Sequence, residues 1–290
     1  MNIDTESLRS MTFNIRQDMQ QDGENNWIYR KEMVASVIRF HQTDIVGLQE
    51  ALYNQMVDLE QLLPEYGWVG VGRGDGVKAD EFAPIFYLKS RFDVINQGTF
   101  WLSETPEVWG SIGWDAACVR IVTWVKLLDK NSGKILCFFN THFDHVGQVA
   151  MVESSHLLLS RIEEIAGDNP VIVTGDFNNT ETCEAYKILV GENGIESKVK
   201  NENYLFDSNY ISINKHHGPT FTFHGFHANE LMNIENRKRL NINFDLSSPI
   251  DFIFVNNHIK VLTHGILSDN WDGKYPSDHM PVVADIYITS

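Results

Sequence analysis

Short apolar runs rich in β-branched and aromatic residues recur along the chain, at 8–15, 44–48, 84–88, 119–128, 135–140, 171–174, 250–255 and 282–288. Their lengths and the turn residues that bound them predict strands. Other segments carry apolar residues at helical spacing. Residues 29–40 place Met33, Val34, Val37 and Ile38 on one face, and 146–166 do the same with Val149, Val152, Leu157, Leu158, Ile162 and Ile165. Residues 54–63 and 183–190 are shorter helical candidates. Strands and helices alternate in the first half, and strands dominate later. With no repeat, low-complexity tract or Pro/Gly/Ser linker, the pattern reads as a single α/β domain over residues 1–290. Three stretches, 105–117, 194–219 and 224–249, lack a clear period. Loops that long in a compact domain are usually functional rims or mobile insertions.

Composition narrows the class without naming a chemistry. Of 290 residues, 43% are hydrophobic and 21% charged, the balance of a folded chain rather than a disordered one. The net charge of −16 argues against broad adhesion to nucleic acid or membrane, while leaving room for a local basic rim beside an acidic site. No apolar run approaches the roughly 18 residues a membrane helix needs. The N-terminus lacks a basic stretch followed by an apolar one, so a cytoplasmic location is expected. Cys118, Cys137 and Cys183 are odd in number, far apart and without zinc spacing. Cys118 and Cys137 fall in apolar runs and read as small buried hydrophobes.

The informative feature is what stands where the strands end. MTFN stops at Asn14, IVGLQE at Glu50, ILCFFNTH at Asn140 and His142, and VIVTGDFN at Asp176 and Asn178. Two further sets are inverted: Asp251 precedes FIFV, and Asp278 and His279 precede MPVVADIYI. In an antiparallel sheet the start of one strand lies beside the end of its neighbour, so all six sets can meet at one edge.

That assortment suits hydrolysis of a phosphate ester. Hard oxygen ligands such as Glu50 and Asp278 select magnesium, with manganese a substitute, over zinc. Asp176 can orient and deprotonate an attacking water. Asn14 and Asn178 can donate to phosphate oxygens without adding negative charge, and His142 and His279 can donate to charge that develops in the transition state. Each histidine needs a carboxylate to fix its tautomer. Asp251 is the candidate for His279, and Glu81 for His142. Singly, each of these is an ordinary polar residue at a strand end; it is their order as a set that speaks.

Taken together, MTFNI, GLQE, NTHFDH, TGDFN, PIDFIF and SDHMPVV resemble the signature blocks of the endonuclease/exonuclease/phosphatase superfamily, in its order from Asn14 to Val283. The resemblance implies a deoxyribonuclease I-like fold: a four-layer α/β sandwich of two packed, mostly antiparallel sheets flanked by helices. It implies Glu50 as metal ligand, with Asn14 beside metal and phosphate and Asp278 as a second metal-site acid. Asp176 would activate water with Asn178 as its phosphate-contacting partner, and Asp251 would orient the catalytic His279. His142 and Glu81 would form a second histidine–carboxylate pair. FWLSETPE, RIVTWVKL and NTHFDHVGQVA look like a bacterial branch similar to deadenylase-type enzymes.

The periphery carries expectations of its own. Arg120 reads as a charge anchor near the site, Asn140 as a substrate contact, and Trp109 and Trp114 as possible flooring of a substrate pocket. His216, His217, His224 and His227 lack clean metal-ligand spacing. Residues 227–249 read as an insertion between TFHGF and IDFIF, and its Arg237, Lys238 and Arg239 as a guide for a polyanion. The favoured reading is a phosphodiesterase or phosphatase, hydrolysing a phosphodiester or phosphomonoester of a nucleotide or of single-stranded nucleic acid. An inositol-phosphate or phospholipid hydrolase is the alternative, and a non-catalytic binding protein on the same fold comes third. No protein partner is implied.

Overall fold

The computed structural model describes residues 7–191, 204–231 and 248–289. In chain order the elements are β1 (Leu8–Asn14), α1 (Trp27–Phe40), β2 (Ile45–Gln49), α2 (Tyr53–Leu62), β3 (Tyr66–Val69), β4 (Ile85–Leu88), β5 (Phe92–Trp101), β6 (Ile121–Asp129), β7 (Ile135–His142), α3 (Gln148–Ala166), β8 (Val171–Asp176), α4 (Glu184–Leu189), β9 (Phe206–Asp207), β10 (Asp251–Val255), β11 (Ile259–Ile266) and β12 (Val282–Ile288). They form two six-stranded sheets, ordered β11-β12-β1-β2-β4-β3 and β5-β6-β7-β8-β10-β9. Each sheet holds one parallel pair, β1 with β2 and β7 with β8, and its other pairs are antiparallel.

Side-chain alternation along the strands builds the layers. Leu8, Ile45, Phe138, Ile172, Ile253 and Val282 point between the sheets and share one core. Their neighbours Met11, Phe13, Val46 and Leu48 face outward onto α1 and α2, meeting Trp27, Val34, Ile38, Met56 and Leu59. On the far side Cys137, Phe139, Val173, Phe252 and Phe254 face α3 and α4, meeting Leu158, Ile162, Tyr186 and Leu189. The order is helices, sheet, sheet, helices, the sandwich expected from the sequence. No described helix is long and apolar enough to cross a membrane.

Four strands lie outside the expected runs: β3, β5, β11 and the two-residue β9. β5 exposes most of its middle, β11 lies at a sheet edge, and β3 has only four residues, so none shows a strong alternation. The buried face of α3 also differs from the expected one. It runs through Met151, Ser154, Ser155, Leu158 and Ile162, while Val149 is exposed. Two serines occupy core positions, and Ser155 returns its hydroxyl to the Met151 carbonyl at 3.1 Å. Cys118 is half-buried in the loop before β6 rather than in a strand.

Between the sheets the apolar core gives way, toward one edge, to a belt of hydrogen-bonded polar groups. Asn140 is 0% exposed. Its Nδ2 donates across the sandwich to the carbonyls of Leu48 (2.7 Å) and Pro84 (3.0 Å). Its Oδ1 accepts from Gln49 Nε2 (2.7 Å) and Thr174 Oγ1 (3.0 Å), and Gln49 also donates to Thr12 Oγ1 (3.0 Å). Gly47 leaves the room: a Cβ there would stand 2.2 Å from Thr174 Oγ1 and 2.3 Å from Asn140 Oδ1. Asn140 is therefore a bridge between sheets and not the substrate contact that its strand-end position suggested. Gly47→Ala is expected to cost roughly 2–4 kcal/mol, from overpacking together with a broken buried bond. Equilibrium denaturation checks it, and a loss under about 1 kcal/mol would mean that the belt yields easily.

Candidate active site

The inward rows of five strands end in polar residues at the same edge. In one sheet, register aligns His142 with Asp176 across the β7–β8 pair and Asp176 with Asp251 across the β8–β10 pair. In the other, Asn14 aligns with Gln49. The sandwich stacks these rows face to face, so Asn14 Nδ2 reaches Asp176 Oδ2 at 2.9 Å and Glu50 Oε1 at 3.0 Å. Arg16, Glu50 and Asn178 all adopt left-handed backbone, with φ of 56°, 63° and 52°. Such conformations in non-glycine residues cost on the order of 1–3 kcal/mol each and tend to cluster where function demands them. Here they turn the chain sharply as it leaves β1, β2 and β8.

Asp176 lies at the centre. Its Oδ1 accepts from the Asn178 backbone N–H at 3.0 Å, and its Oδ2 lies 3.5 Å from His142 Nε2 and 3.7 Å from His279 Nε2. Burial, reinforced by the charge of Asp251, pushes its carboxyl up to about 7. A base poised near neutrality is well matched to accepting a proton from water. His279 Nδ1 meets Asp251 Oδ2 at 2.8 Å. Burial disfavours the imidazolium, but Asp251 and Asp176 outweigh it and raise His279 to about 10. His279 thus aims a charged Nε2–H toward Asp176.

His142 is held differently. Asn178 Nδ2 lies 3.0 Å from the Phe143 carbonyl and 2.9 Å from His142 Nε2. The carbonyl can only accept, which fixes the amide orientation and makes His142 Nε2 an acceptor. Its proton then resides on Nδ1, which faces Glu81 Oε2 at 3.7 Å. That spacing exceeds a hydrogen bond, because Glu81 is taken by Arg73 at 2.8 Å. Burial, with the charges of Arg120 and Arg73, holds His142 well below its ordinary value, so it is neutral. Both amide hydrogens of Asn178 are thus committed inside the protein, where the sequence suggested donation to phosphate. Burial raises Glu81 to about 7 against the pull of Arg73.

Glu50 and Asp278 supply the acidic wall. Glu50 Oε2 accepts from the Gln17 backbone N–H at 3.1 Å. Asp278 Oδ1 lies 3.2 Å from the Ser277 hydroxyl, which donates to the Asn14 carbonyl at 2.6 Å. Burial and the neighbouring Glu50 charge raise the Asp278 carboxyl. Arg16 stands 3.9 Å from each acid but spends its strong bonds on Asp22. Two mutually repelling, oxygen-only acids at the rim of a cavity fit a hard divalent cation. Glu50, His142 and Asp176 also lie close enough to share an ion. Asn14 offers no ligand oxygen in this arrangement, because its Oδ1 accepts from the Arg16 N–H at 3.0 Å. It acts instead as a donor between Glu50 and Asp176.

Glu50, Glu81, His142, Asp176, Asn178, Asp278 and His279 line one cavity of about 460 Å³, together with Arg73, Arg120, His145 and Phe223. Trp114 is not among its lining, and Trp109 lines a separate cavity of about 250 Å³. Arg237, Lys238 and Arg239 lie outside the described residues. Sequence reasoning missed Arg30, which is 2% exposed and donates to the carbonyls of Ile15 (2.8 Å), Arg16 (3.2 Å), Pro276 (2.7 Å) and Asn25. It ties the loop after β1 to the segment carrying Asp278 and His279. Its signal was a charge on the apolar stripe of α1, at four-residue spacing from Val34 and Ile38. Arg73 left no comparable signal, since it lies in an irregular loop.

Comparison with known proteins fits this geometry. The chain is 42% identical to a solved endonuclease/exonuclease/phosphatase from Bacteroides vulgatus, over 97% of this chain and 99% of that one, with a TM-score of 0.86. A mannosyl-6-phosphatase from Bacteroides thetaiotaomicron shares 33% identity over 97% of this chain and 100% of its own, with a TM-score of 0.84. Cattle 2',5'-phosphodiesterase 12 is 24% identical over 89% of this chain and 46% of its own length. The chain spans between 37% and 60% of the curated relatives it matches most strongly. The family model for the Endonuclease/Exonuclease/phosphatase family matches residues 11–279. The chain belongs to the endonuclease/exonuclease/phosphatase family.

Proposed function

We propose that the protein is a magnesium-dependent phosphoesterase that cleaves a phosphomonoester on a small polar molecule of the sugar-phosphate kind. The family is one of phosphoesterases; the substrate and the ion are our reading. The observation that carries it is the convergence of Glu50, Asp278, Asp176, His142 and His279–Asp251 on one cavity. Its volume of about 460 Å³ suits a small ligand. The likeness to a mannosyl-6-phosphatase at 33% identity over nearly the full length supports the monoester class. Manganese is the expected substitute.

Asp176 orients and deprotonates water, with Asn14 and the Asn178 backbone holding its two oxygens. His279, oriented by Asp251, donates from Nε2 to charge developing on the phosphoryl group or leaving oxygen. His142 is neutral and positions Asn178. An ion bound by Glu50 and Asp278 would neutralise charge on the phosphoryl oxygens.

The nucleotide-phosphodiester reading favoured by the sequence keeps second place, on the likeness to 2',5'-phosphodiesterase 12. A magnesium assay panel separates the two: mannose 6-phosphate and glucose 6-phosphate against short 2',5'- and 3',5'-linked RNA, inositol phosphates and sphingomyelin. Preferred turnover of sugar phosphates supports the proposal, and preferred turnover of RNA replaces it with the second reading.

Glu50→Gln is expected to lower kcat by about two to four orders of magnitude, the scale of losing one leading electrostatic element. EDTA should abolish turnover, and undiminished rates in EDTA would sink the metal reading. Asp251→Asn and His279→Ala should each lower kcat, and the double variant should be little worse than the worse single one. Additive losses would detach Asp251 from His279.

Metal should also stabilise the fold. Asp176 and Asp278 have folded pKa values above their unfolded ones. Groups of that kind stabilise the fold below the unfolded value, near pH 4, and this stability is lost as pH rises through the folded value, for Asp176 about 7. A cation opposes the same repulsion. One fixed magnesium concentration, a hundredfold above the Kd at about pH 8, should therefore raise Tm by roughly 5 °C there and by less at about pH 5, where protonation weakens binding. An equal gain at both would contradict this linkage.

A further inference from the structure

Beyond the groups assigned to phosphoryl chemistry, the cavity contains a guanidinium whose hydrogen bonding is incomplete. Arg120 is 5% exposed, and its Nε and Nη1 are buried with no hydrogen-bond partner among the described residues. Its two nearest acids are committed elsewhere. Asp144 Oδ2 lies 3.8 Å away, and that carboxylate receives the backbone N–H groups of Ala117 (3.0 Å), Val146 (2.9 Å) and Gly147 (2.7 Å). Glu81 Oε2 lies 3.9 Å away and is held by Arg73. Burying a charged donor without an acceptor is costly, and structures retain such groups where a ligand completes them.

The surroundings select the ligand's charge. Arg120 Nη2 lies 3.2 Å from His145 Nδ1. Arginine only donates, so Nδ1 accepts and the exposed ring presents a second donor at Nε2. Arg73 lines the same wall. Arg120 and His145 thus contribute donors, while the Arg73 charge is already shared with Asp80 (3.1 Å) and Glu81 (2.8 Å). Glu81 stands between Arg120 and His142, 3.9 Å from one and 3.7 Å from the other. In the reaction proposed above the scissile phosphoryl group sits at the Asp176–His279 centre, which leaves this wall to another part of the substrate.

The geometry points to a second anion subsite, built on Arg120 with Arg73 and His145, for a phosphate or carboxylate elsewhere on the substrate. It rests on the phosphoesterase reading above and sharpens the substrate class to compact esters that carry two anionic groups.

The test uses matched pairs: mannose 6-phosphate against mannose 1,6-bisphosphate, and glucose 6-phosphate against 6-phosphogluconate. Affinities are measured calorimetrically on full-length Asp176→Asn with magnesium, and kcat/KM on the wild-type enzyme. The second anion should tighten binding roughly ten- to hundredfold, the scale of a charge-assisted hydrogen bond. Preference in the first pair alone identifies a phosphate subsite, and preference in the second alone a carboxylate subsite. Arg120→Gln should bring the ratio close to one, and Arg120→Lys should restore part of it. Equal binding within both pairs, or a ratio that survives Arg120→Gln, overturns the subsite. The ratio without any Arg120 variant is decisive even if Arg120→Gln misfolds. Turnover of none of the four esters would count against the proposed reaction, while the binding ratios would still decide the subsite.

Discussion

The site depends on one buried amide. Two sheets packed face to face normally share an apolar interior, and a polar group placed there is costly unless every hydrogen bond is made. Asn140 makes four, two in each direction, and three of its four partners belong to or immediately precede strands of the opposite sheet. Each bond has a fixed address along a strand. A one-residue slip in β7 would turn Asn140 outward and carry His142 with it. The belt therefore fixes the height at which the two sheets meet, and that height lets Asn14 of one sheet touch Asp176 of the other.

A cluster of acids follows from this alignment. Asp176, Asp251, Glu50, Glu81 and Asp278 crowd one edge, and their repulsion must be offset. His279 carries part of the compensation as an imidazolium between Asp251 and Asp176. Arg16 and Arg73 carry another part through ion pairs at the rim. Arg30 has no carboxylate within ion-pair distance among the described residues: burial lowers it to about 10, and its N–H groups are spent on backbone carbonyls. It supplies rigidity where the chain has no strand to follow. The left-handed turns at Arg16, Glu50 and Asn178 add strain at the same edge, and the hydrogen-bonded belt beneath gives them a firm base.

Much of this was legible in the sequence, for a specific reason. Strands that alternate between two cores write their inward residues at every second position, and polar residues at the end of that row mark the rim. Asn14, His142, Asp176 and Asp251 were readable in this way. The same rule misplaced Asn140, since one residue pair along the strand separates the rim from the interior and sequence does not record depth. It also said nothing of amide direction. Asn14 and Asn178 have fixed orientations because Arg16 and Phe143 offer a backbone donor and a backbone acceptor, partners that composition cannot announce. In α3 two serines took core places that hydrophobicity assigned to valines.

The division between what was readable and what was not follows the division between chemistry and recognition. The groups assigned above to phosphoryl transfer stand on or just beyond strands, where period and order constrain them. Those on the proposed subsite wall come from irregular segments: Arg73 from the loop after β3, Arg120 from the approach to β6, and His145 from the turn before α3. Such segments vary without disturbing either core, so one scaffold can keep its reaction while its wall changes. In this chain the wall holds two buried arginines although the protein as a whole is strongly acidic, with a net charge of −16. An overall negative field repels polyanions at long range, whereas buried arginines act only on a group already inside the cavity. That combination favours a small anionic ligand, which enters whole, over a long polyanion that must lie across the surface.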